Sequence, residues 1–560
     1  MDYKGGKTMN LERSKWPFGV ASVKRDGILY GLGYTEEELK RPYIAVVNSW
    51  NEYNPGHIHL REIAERVKQG IRDAGGLPFE VTTTGLCDGM VLRDPRYIEL
   101  PSRNLIADEV ELNVEANMFD GMVLLSTCDS IVPGHLMAAA RLDIPAVVVT
   151  GGYMPQCFWR GEEIGLVKVS SAVGKVMESK MARADFDDMM RCAHMGCGAC
   201  GSMTTASSMC FIAEALGMTV PGNASINAAD KRLGGMGYEA GRQVMRMLRE
   251  GITARKILTE QAIENAIIVD TAVAGSTNLL LHIPAIAHEA GLDRDWWAFF
   301  DECSHKIPLI THLQPSGPYY LKDFDQAGGM KGLLGRLLPL LHGDCLSING
   351  KTLRENYENA PVYNNDCIRP LDSPVSAEGG IAVLHGNLAP EGAILKTAAV
   401  PEGLMRFRGR ARVFHEVDDA LAALRAGKIQ AGDAVVIRYL GPKGRFGTTA
   451  FAFQKELAGM ALSDQVAIIT DGRFSGGTTG LSIGYVAPEA AIRGPLAAVQ
   501  EGDFISISVP ERVIHLEAED AEIEKRLAQV NWRLEEEKFK PFLRLFARNV
   551  TSTAKGATWY

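Results

Sequence analysis

The chain has 560 residues, 46% of them hydrophobic and 23% charged, with a formal net charge of −9. That length is more than one core organises, so two or more domains are expected, and the acidic balance excludes a nucleic-acid partner, which would need a basic face. No apolar run reaches membrane-spanning length and MDYKGGKTMNLERSKWPFG lacks the apolar core of a secretion signal, so a cytoplasmic protein with no membrane partner is expected.

Taken in chain order, YIAVVNSW (43–50) reads as a buried strand. The next segment, HLREIAERVKQGIRDAGG, puts Leu60, Ile63, Val67 and Ile71 on one helical stripe and stops at Gly75-Gly76. Ser102 is the expected N-cap of a helix over RNLIADEVELNVEAN. GMVLLST (121–127) and PAVVVTGG (145–152) are short apolar runs that fit parallel strands. This strand–helix rhythm predicts an α/β fold with a doubly wound N-terminal domain over 1–370. The apolar stretch GLLGRLLPLLHG (332–343) would be costly if exposed. From about 370 the character changes to short apolar runs punctuated by Pro and Gly, such as GIAVLHG, VAIITDGRFSGG and FISISVPER. A β-rich, barrel-like C-terminal domain over 371–560 is expected, closed by a charged helix over AEIEKRLAQVNWRLEEE.

The ten Cys, in a large chain expected to be cytosolic, are read as thiols, not disulfides. GCGACGSMTTASSM (196–209) contains G-x-G-x-x-G, but Cys fills two of its variable positions and no acidic residue follows at the distance a dinucleotide site needs. Cys197 and Cys200 sit instead in a Gly-rich loop opening a helix, whose N-terminus would stabilise a thiolate fit to bind a soft metal or cluster. Cys128 and Asp129 directly follow a strand, at the end where α/β proteins build sites. Cys87 and Asp88 repeat that pair in TTGLCDGM. Paired soft and hard ligands suggest a cluster with a hard cation beside it. Close packing of small residues is the competing reading of the Cys197–Cys200 loop, and a buried Cys with a helix-capping Asp that of Cys128–Asp129. Ser475 in TDGRFSGGTTG lacks the order of a nucleophile elbow. His57 and His59, two apart, cannot share a helix face; one of them faces the site or both tie loops together.

The ordered series VVNSWNEYNPGHIHL, GLCDGM, ELPSRNLIADEVE, CDSIVPGHLMAAARLDIPAVVVTGG, CGACGSMTTASSM, LQPSGPYYLKDFDQAGG, RPLDSPVSAEGGIAVLHGNLAPEGAILK and TDGRFSGGTTGLSIGYVAPEA resembles the dihydroxy-acid / phosphogluconate dehydratase family along nearly the whole chain. The resemblance implies an iron–sulfur-dependent hydro-lyase that converts a 2,3-dihydroxy acid, a branched-chain precursor or a sugar acid, to a 2-keto acid. It implies an iron–sulfur cluster, 2Fe–2S or 4Fe–4S, with Cys128 and Cys200 as ligands, Mg²⁺ near Asp88 and Asp129, and Ser475 as the base that takes the C2 proton. It also implies a homodimer or homotetramer acting on a small-molecule hydroxy acid.

Several positions depart from the family pattern. The Cys that one branch carries after the first strand is Gly56, which leaves the third cluster ligand to Cys197 or Cys87, with Cys197 preferred. The Lys that usually follows Cys-Asp and becomes a cation-binding carbamate is Ser130. The usual Glu of G-M-P-E-M falls at Thr449 or Ala450, with Glu456 the nearest carboxylate. T-R-G reads T-T-G at Thr479, G-H-V reads G-Y-V at Tyr485, and MVLRDPRYIEL replaces a G-H-x-G-M segment. A cation shell without two of its ligands should bind Mg²⁺ weakly. The resulting expectations are a dehydratase of a dihydroxy acid, standard or altered, or a non-catalytic or redox-sensing paralogue that keeps the cluster.

Overall fold

Tyr43–Asn48, almost uniformly apolar, forms strand β1 with all its side chains buried. Beside it lie β2 (Leu77–Thr82), β3 (Gly121–Ser126) and β4 (Ala146–Thr150), all parallel, in the order β2-β1-β3-β4. β1, β3 and β4 are buried throughout, as strands covered on both faces must be. β2, at the edge, becomes more exposed along its length. The structure is a computed structural model and describes residues 13–91, 93–155, 157–193, 196–474 and 477–559.

Right-handed crossovers fix the layers. The step from β1 to β2 puts helix Leu60–Asp73 on one face, with Leu60, Ile63, Val67 and Ile71 turned inward as their spacing predicts. Helix Arg232–Glu250 packs along it. Their backbones touch: a Cβ on Gly70 would lie 2.0 Å from the Tyr238 carbonyl oxygen, and one on Gly241 would lie 2.3 Å from that of Val67. The return to β3 and on to β4 puts helices Leu100–Asn117 and Ile131–Leu142, packed on each other, on the opposite face. Ser102 is not the N-cap expected from the sequence. Pro101 fits the first turn of a helix, so the helix begins at Leu100 and Glu99 is its cap.

A short hairpin, β5 (Cys157–Trp159) and β6 (Glu162–Ile164), follows. Helices Thr205–Ala215, Glu260–Val273 and Leu279–Glu289 are then buried along most of their length. The first half of the stretch 332–343 lies in helix Gly329–Leu337, and Leu333, Leu334 and Leu337 are buried in the chain's own core. The cost of exposing it is met within the chain, so its apolarity gives no argument for a partner subunit.

Strands β7 (Ala382–Gly386), β8 (Ala389–Leu395), β9 (Arg406–Phe414), β10 (Asp433–Ile437), β11 (Ala467–Thr470), β12 (Leu481–Ala487), β13 (Phe504–Ser508) and β14 (Val513–Leu516) close into a barrel in the order β10-β11-β12-β8-β7-β14-β13-β9. In β9 the period of two is plain: Phe407, Gly409 and Ala411 point inward, while Arg406 and Arg408 pair outside with Glu511 and Glu517. The charged C-terminal stretch is not one helix, because it is helical only over Asp520–Ala528. Trp532 then stacks on Tyr439 with centroids 4.5 Å apart, which draws the chain onto the barrel. The α/β core continues into Phe446, Tyr485, Leu543 and Phe546, so barrel and sheet meet through shared apolar packing. Among the described residues, no helix is long and apolar enough to cross a membrane.

Candidate active site

β1 lies between β2 and β3, so the strand order reverses there and opens a crevice at the carboxyl ends. Three loops reach it. Asn54–His59 follow β1, Cys87 and Asp88 follow β2, and Cys128 and Asp129 follow β3. A fourth loop carries Cys200 and docks by backbone bonds from Gly198 N–H to the Pro55 carbonyl (3.0 Å) and from Ala199 N–H to that of Gly152 (2.8 Å).

The thiols of Cys87 and Cys128 are hydrogen-bonded to each other. Donation from Cys128, helped by the N–H groups of Gly89 and Met90, lowers the Cys87 thiol to about 6 against its burial. Cys128 is correspondingly raised well above its ordinary value. Its Sγ lies 3.4 Å from the Asn54 Nδ2, which also donates to the Gly85 and Leu86 carbonyls. A Cβ on Gly56 would come within 2.5 Å of Cys128 Sγ, so position 56 faces this thiol directly and the chain leaves it bare. Cys200 is pushed up to about 12 by burial and then by the negative charges of Asp129 and Cys87. The helix after it begins only at Thr205, too far on to stabilise a thiolate through its N-terminus, which corrects the sequence reading. Cys197, half-buried in the same loop, is influenced by burial and by Glu62, and not by the other thiols. His57 and His59 tie loops together. His57 Nδ1 donates to the Ser49 carbonyl (2.8 Å), leaving Nε2 to accept the Cys128 N–H (3.2 Å), and His59 Nε2 meets the Gly151 carbonyl at 2.6 Å.

Beside the thiols, oxygens of Asp88, Glu99 and Asp129 all lie within 4.8 Å of one another. The sequence reading missed Glu99. It stands at the end of the departing segment MVLRDPRYIEL, and the only signal was an acid directly ahead of L-P-S-R. Its backbone has φ 66° and ψ −98°, a strained region for a side-chain-bearing residue. Ser130 Oγ accepts its N–H at 3.1 Å. Arg473 Nη1 sits 3.1 Å from Glu99 Oε2 in a fully buried ion pair, and His282 Nε2 lies at 3.6 Å. Burial favours the neutral form of Glu99, but Arg473, with hydrogen bonds from Asp88 and His282, holds it below the usual carboxylate range. Asp88 is raised well above its ordinary value by burial and by the charges of Glu99 and Asp129. Asp129 is raised to about 8 by burial, Glu99 and Cys87. The donors are all oxygen and Asp88 Oδ1 is buried without a hydrogen-bond partner among the described residues, which suits a hard cation. The Cys87 and Cys128 thiols, hydrogen-bonded to each other, with Cys200 near enough to feel the Cys87 charge, suit iron.

The barrel supplies the opposite wall. Arg473, just past β11, also donates from Nη1 to Asn278 Oδ1 (3.1 Å), and Asn278 Nδ2 donates to Thr205 Oγ1 (2.9 Å). The Thr205 hydroxyl in turn bonds Asp129, closing a ring from Glu99 to Asp129. Tyr485 OH lies 2.5 Å from Asn278 Oδ1 and 2.9 Å from the Phe474 carbonyl. Ser475 lies outside the described residues. After it, the Gly477 carbonyl accepts from Lys455 Nζ, and Gln454 Nε2 donates to the Thr479 carbonyl (3.0 Å) and hydroxyl (2.8 Å). Glu456, the carboxylate nearest in sequence to the missing Glu, is turned to Arg425 through both oxygens.

Known proteins resemble this chain along most of its length. The family model described as dihydroxy-acid/6-phosphogluconate dehydratase N-terminal matches residues 41–356, and its C-terminal counterpart matches 366–557. A protein named dihydroxy-acid dehydratase 1 from Methanosarcina acetivorans is 46% identical over 516 residues, 91% of this chain and 93% of the relative. The dihydroxy-acid dehydratase of Caldanaerobacter subterraneus subsp. tengcongensis is 46% identical over 97% of this chain and 98% of its own. That of Nitratidesulfovibrio vulgaris is 42% identical over 98% and 100%. The chain belongs to the dihydroxy-acid/6-phosphogluconate dehydratase family and is, with it, a hydro-lyase.

Proposed function

We propose that this chain dehydrates a 2,3-dihydroxy acid to the 2-keto acid, using an iron–sulfur cluster held by Cys87, Cys128 and Cys200 and a Mg²⁺ ion held by Asp88 and Asp129. The observation that carries the reading is the convergence, at the carboxyl ends of β2 and β3, of a hydrogen-bonded thiol pair with clustered carboxylates. Three thiolates leave one iron of a cluster open. Cys87 is preferred to Cys197 as the third because it faces Cys128. When bound, the cluster supplies a Lewis acid for the leaving C3 hydroxyl, and Mg²⁺ orients the substrate and acidifies its C2 position. The protein's own part is to hold the acid in register and to move one proton. Ser475 takes the C2 proton, and loss of that proton with the C3 hydroxyl leaves an enol that tautomerises to the 2-keto acid. The Lys455 bond to the Gly477 carbonyl and the Gln454 bonds to Thr479 brace the loop that follows Ser475.

The experiment is anaerobic incubation of the cluster-loaded protein with branched-chain and sugar 2,3-dihydroxy acids, with 2-keto acid measured as its hydrazone. Product from at least one class, abolished by Ser475→Ala, is expected. A fully loaded protein that turns over none of them would overturn the reading. We also propose a homodimer. Phe18, Val20, Val23 and Leu32, in and beside helix Val20–Gly31, are exposed apolar side chains that a second copy would cover.

A further inference from the structure

Two of the three clustered carboxylates are accounted for above, and Glu99 is not. We propose that Glu99 is the third ligand of the cation site, and that Ser130 is the positioning residue that makes it one. The inference rests on the cation reading of Asp88 and Asp129.

Charge is the first argument. Asp88, Glu99 and Asp129 offer one oxygen each within 4.8 Å, and Arg473, at 3.1 Å from Glu99, is the cation in contact with them among the described residues. With all three ionised, Arg473 would offset one of the negative charges, and a divalent ion would bring the group to neutrality. Its donors would be oxygen alone, which favours Mg²⁺ or Mn²⁺ over thiophilic metals. Geometry is the second. Asp88 Oδ1 is a buried atom with no hydrogen-bond partner among the described residues, and it has Glu99 and Asp129 for neighbours. Glu99 itself is 2% exposed, so its carboxylate has no solvent to turn to. Its strained backbone is the third argument. Glu99 takes up its place beside Asp88 and Asp129 with a φ of 66°, and the Ser130 hydroxyl holds that turn by accepting the Glu99 N–H. Ser130 directly follows Asp129, so one loop supplies a ligand and the brace for another. His282 closes the far side. Its Nδ1 faces the Arg103 guanidinium at 3.1 Å, which leaves Nε2 as the N–H turned to Glu99 at 3.6 Å. Arg473 and His282 therefore orient one side of the carboxylate and leave the other for the ion.

The test is direct cation binding by the full chain, prepared anaerobically and stripped with chelator, then titrated with Mn²⁺ and followed by loss of the free-ion EPR signal. Wild type should take up one ion per chain. Glu99→Gln should weaken binding by roughly 100-fold and Ser130→Ala by roughly 10-fold, with Ser130→Thr restoring it. Glu456→Gln should bind as wild type, because its carboxylate is committed to Arg425. If Glu99→Gln binds Mn²⁺ as tightly as wild type while Asp129→Asn does not, Glu99 is no ligand and the inference falls while the cation reading stands. If wild type binds no ion, both fall. Should Glu99→Gln fail to fold, Glu99→Asp keeps the charge beside Arg473 but withdraws the carboxylate by one carbon. Weaker binding is then expected, and an unchanged affinity overturns the inference.

Discussion

Among the ten cysteines, environment and not count separates the reactive from the inert. Cys210, Cys303, Cys345 and Cys367 are buried thiols, and burial raises each of them, as it does for packing residues. Cys87 is the exception, lowered to about 6 by the Cys128 hydrogen bond. In cluster-free, reduced protein, iodoacetamide should therefore modify Cys87 first, with a rate that is half-maximal near pH 6, while Cys200, raised to about 12, stays slow. Peptide mapping after timed labelling reads this out, and a Cys87 rate that rises only above pH 8 would contradict it. The same reasoning orders the substitutions. Cys87→Ser, Cys128→Ser and Cys200→Ser should each lose most bound iron and visible absorption, and Cys197→Ser should keep both. Iron retained in Cys87→Ser but lost in Cys197→Ser would move the third ligand back to the Gly-rich loop.

At the scale of elements, the joint between β10 and β12 carries a buried acid with its own pH signature. Glu489 accepts the N–H groups of Lys443 (2.9 Å) and Gly444 (3.1 Å) and so anchors the turn after β10 to the end of β12. Its ordinary value is 4.5, and burial, then the charge of Asp471, raises it to about 8 in the folded chain. Between those values the folded state holds a proton that the unfolded chain has released. The stabilisation is full below about pH 4.5 and is lost as pH rises through about 8, on the order of a few kcal/mol at most. Urea denaturation should show stability falling between pH 5 and 8, with a shallower fall in Glu489→Gln, whose neutral amide mimics the protonated acid. Equal slopes would place the titration elsewhere. The two α/β helices that carry Gly70 and Gly241 are as tightly specified. With a Cβ only 2.0 Å from a carbonyl oxygen, Gly70→Ala should cost about 1–3 kcal/mol by the same measurement.

The whole molecule is an α/β sheet and a closed barrel meeting at one crevice, and the contacts across it are side-chain specific. Arg473, from the barrel, is held in the α/β half by Glu99 and Asn278. Arg103, fully buried, reaches the carbonyls of Gly556 (2.7 Å) and Ala557 (2.8 Å) and pins the end of the described chain beside His282. Exposed apolar side chains at Phe18, Val20, Val23 and Leu32 cluster in and beside helix Val20–Gly31. Light scattering at micromolar concentration should give the mass of a dimer, and Val23→Glu with Leu32→Glu should shift it toward monomer. A wild-type monomer would refute the proposed assembly.

The sequence by itself determined the α/β and barrel architecture and pointed to most of the residues of the candidate site. Apolar runs of strand length, a helical stripe such as Leu60, Ile63, Val67 and Ile71, and Pro-Gly punctuation after 370 are local signals, because burial on one face or two is written in residue period. Cys128, Cys200, Asp88 and Asp129 were legible for a related reason, since each lies just past a strand or in a Gly-rich loop. Tertiary structure alone decided which groups meet. Cys87 and Cys128 are distant in sequence and touch only because β2 and β3 flank β1. Glu99 read as an ordinary acid at a helix start, and Glu456 as the nearer substitute. Glu99 became the partner of Asp88 and Asp129 only through a positive-φ turn, a Ser130 brace and an arginine brought from the barrel. Electrostatics follows distance in space, and no spacing along the chain encodes it.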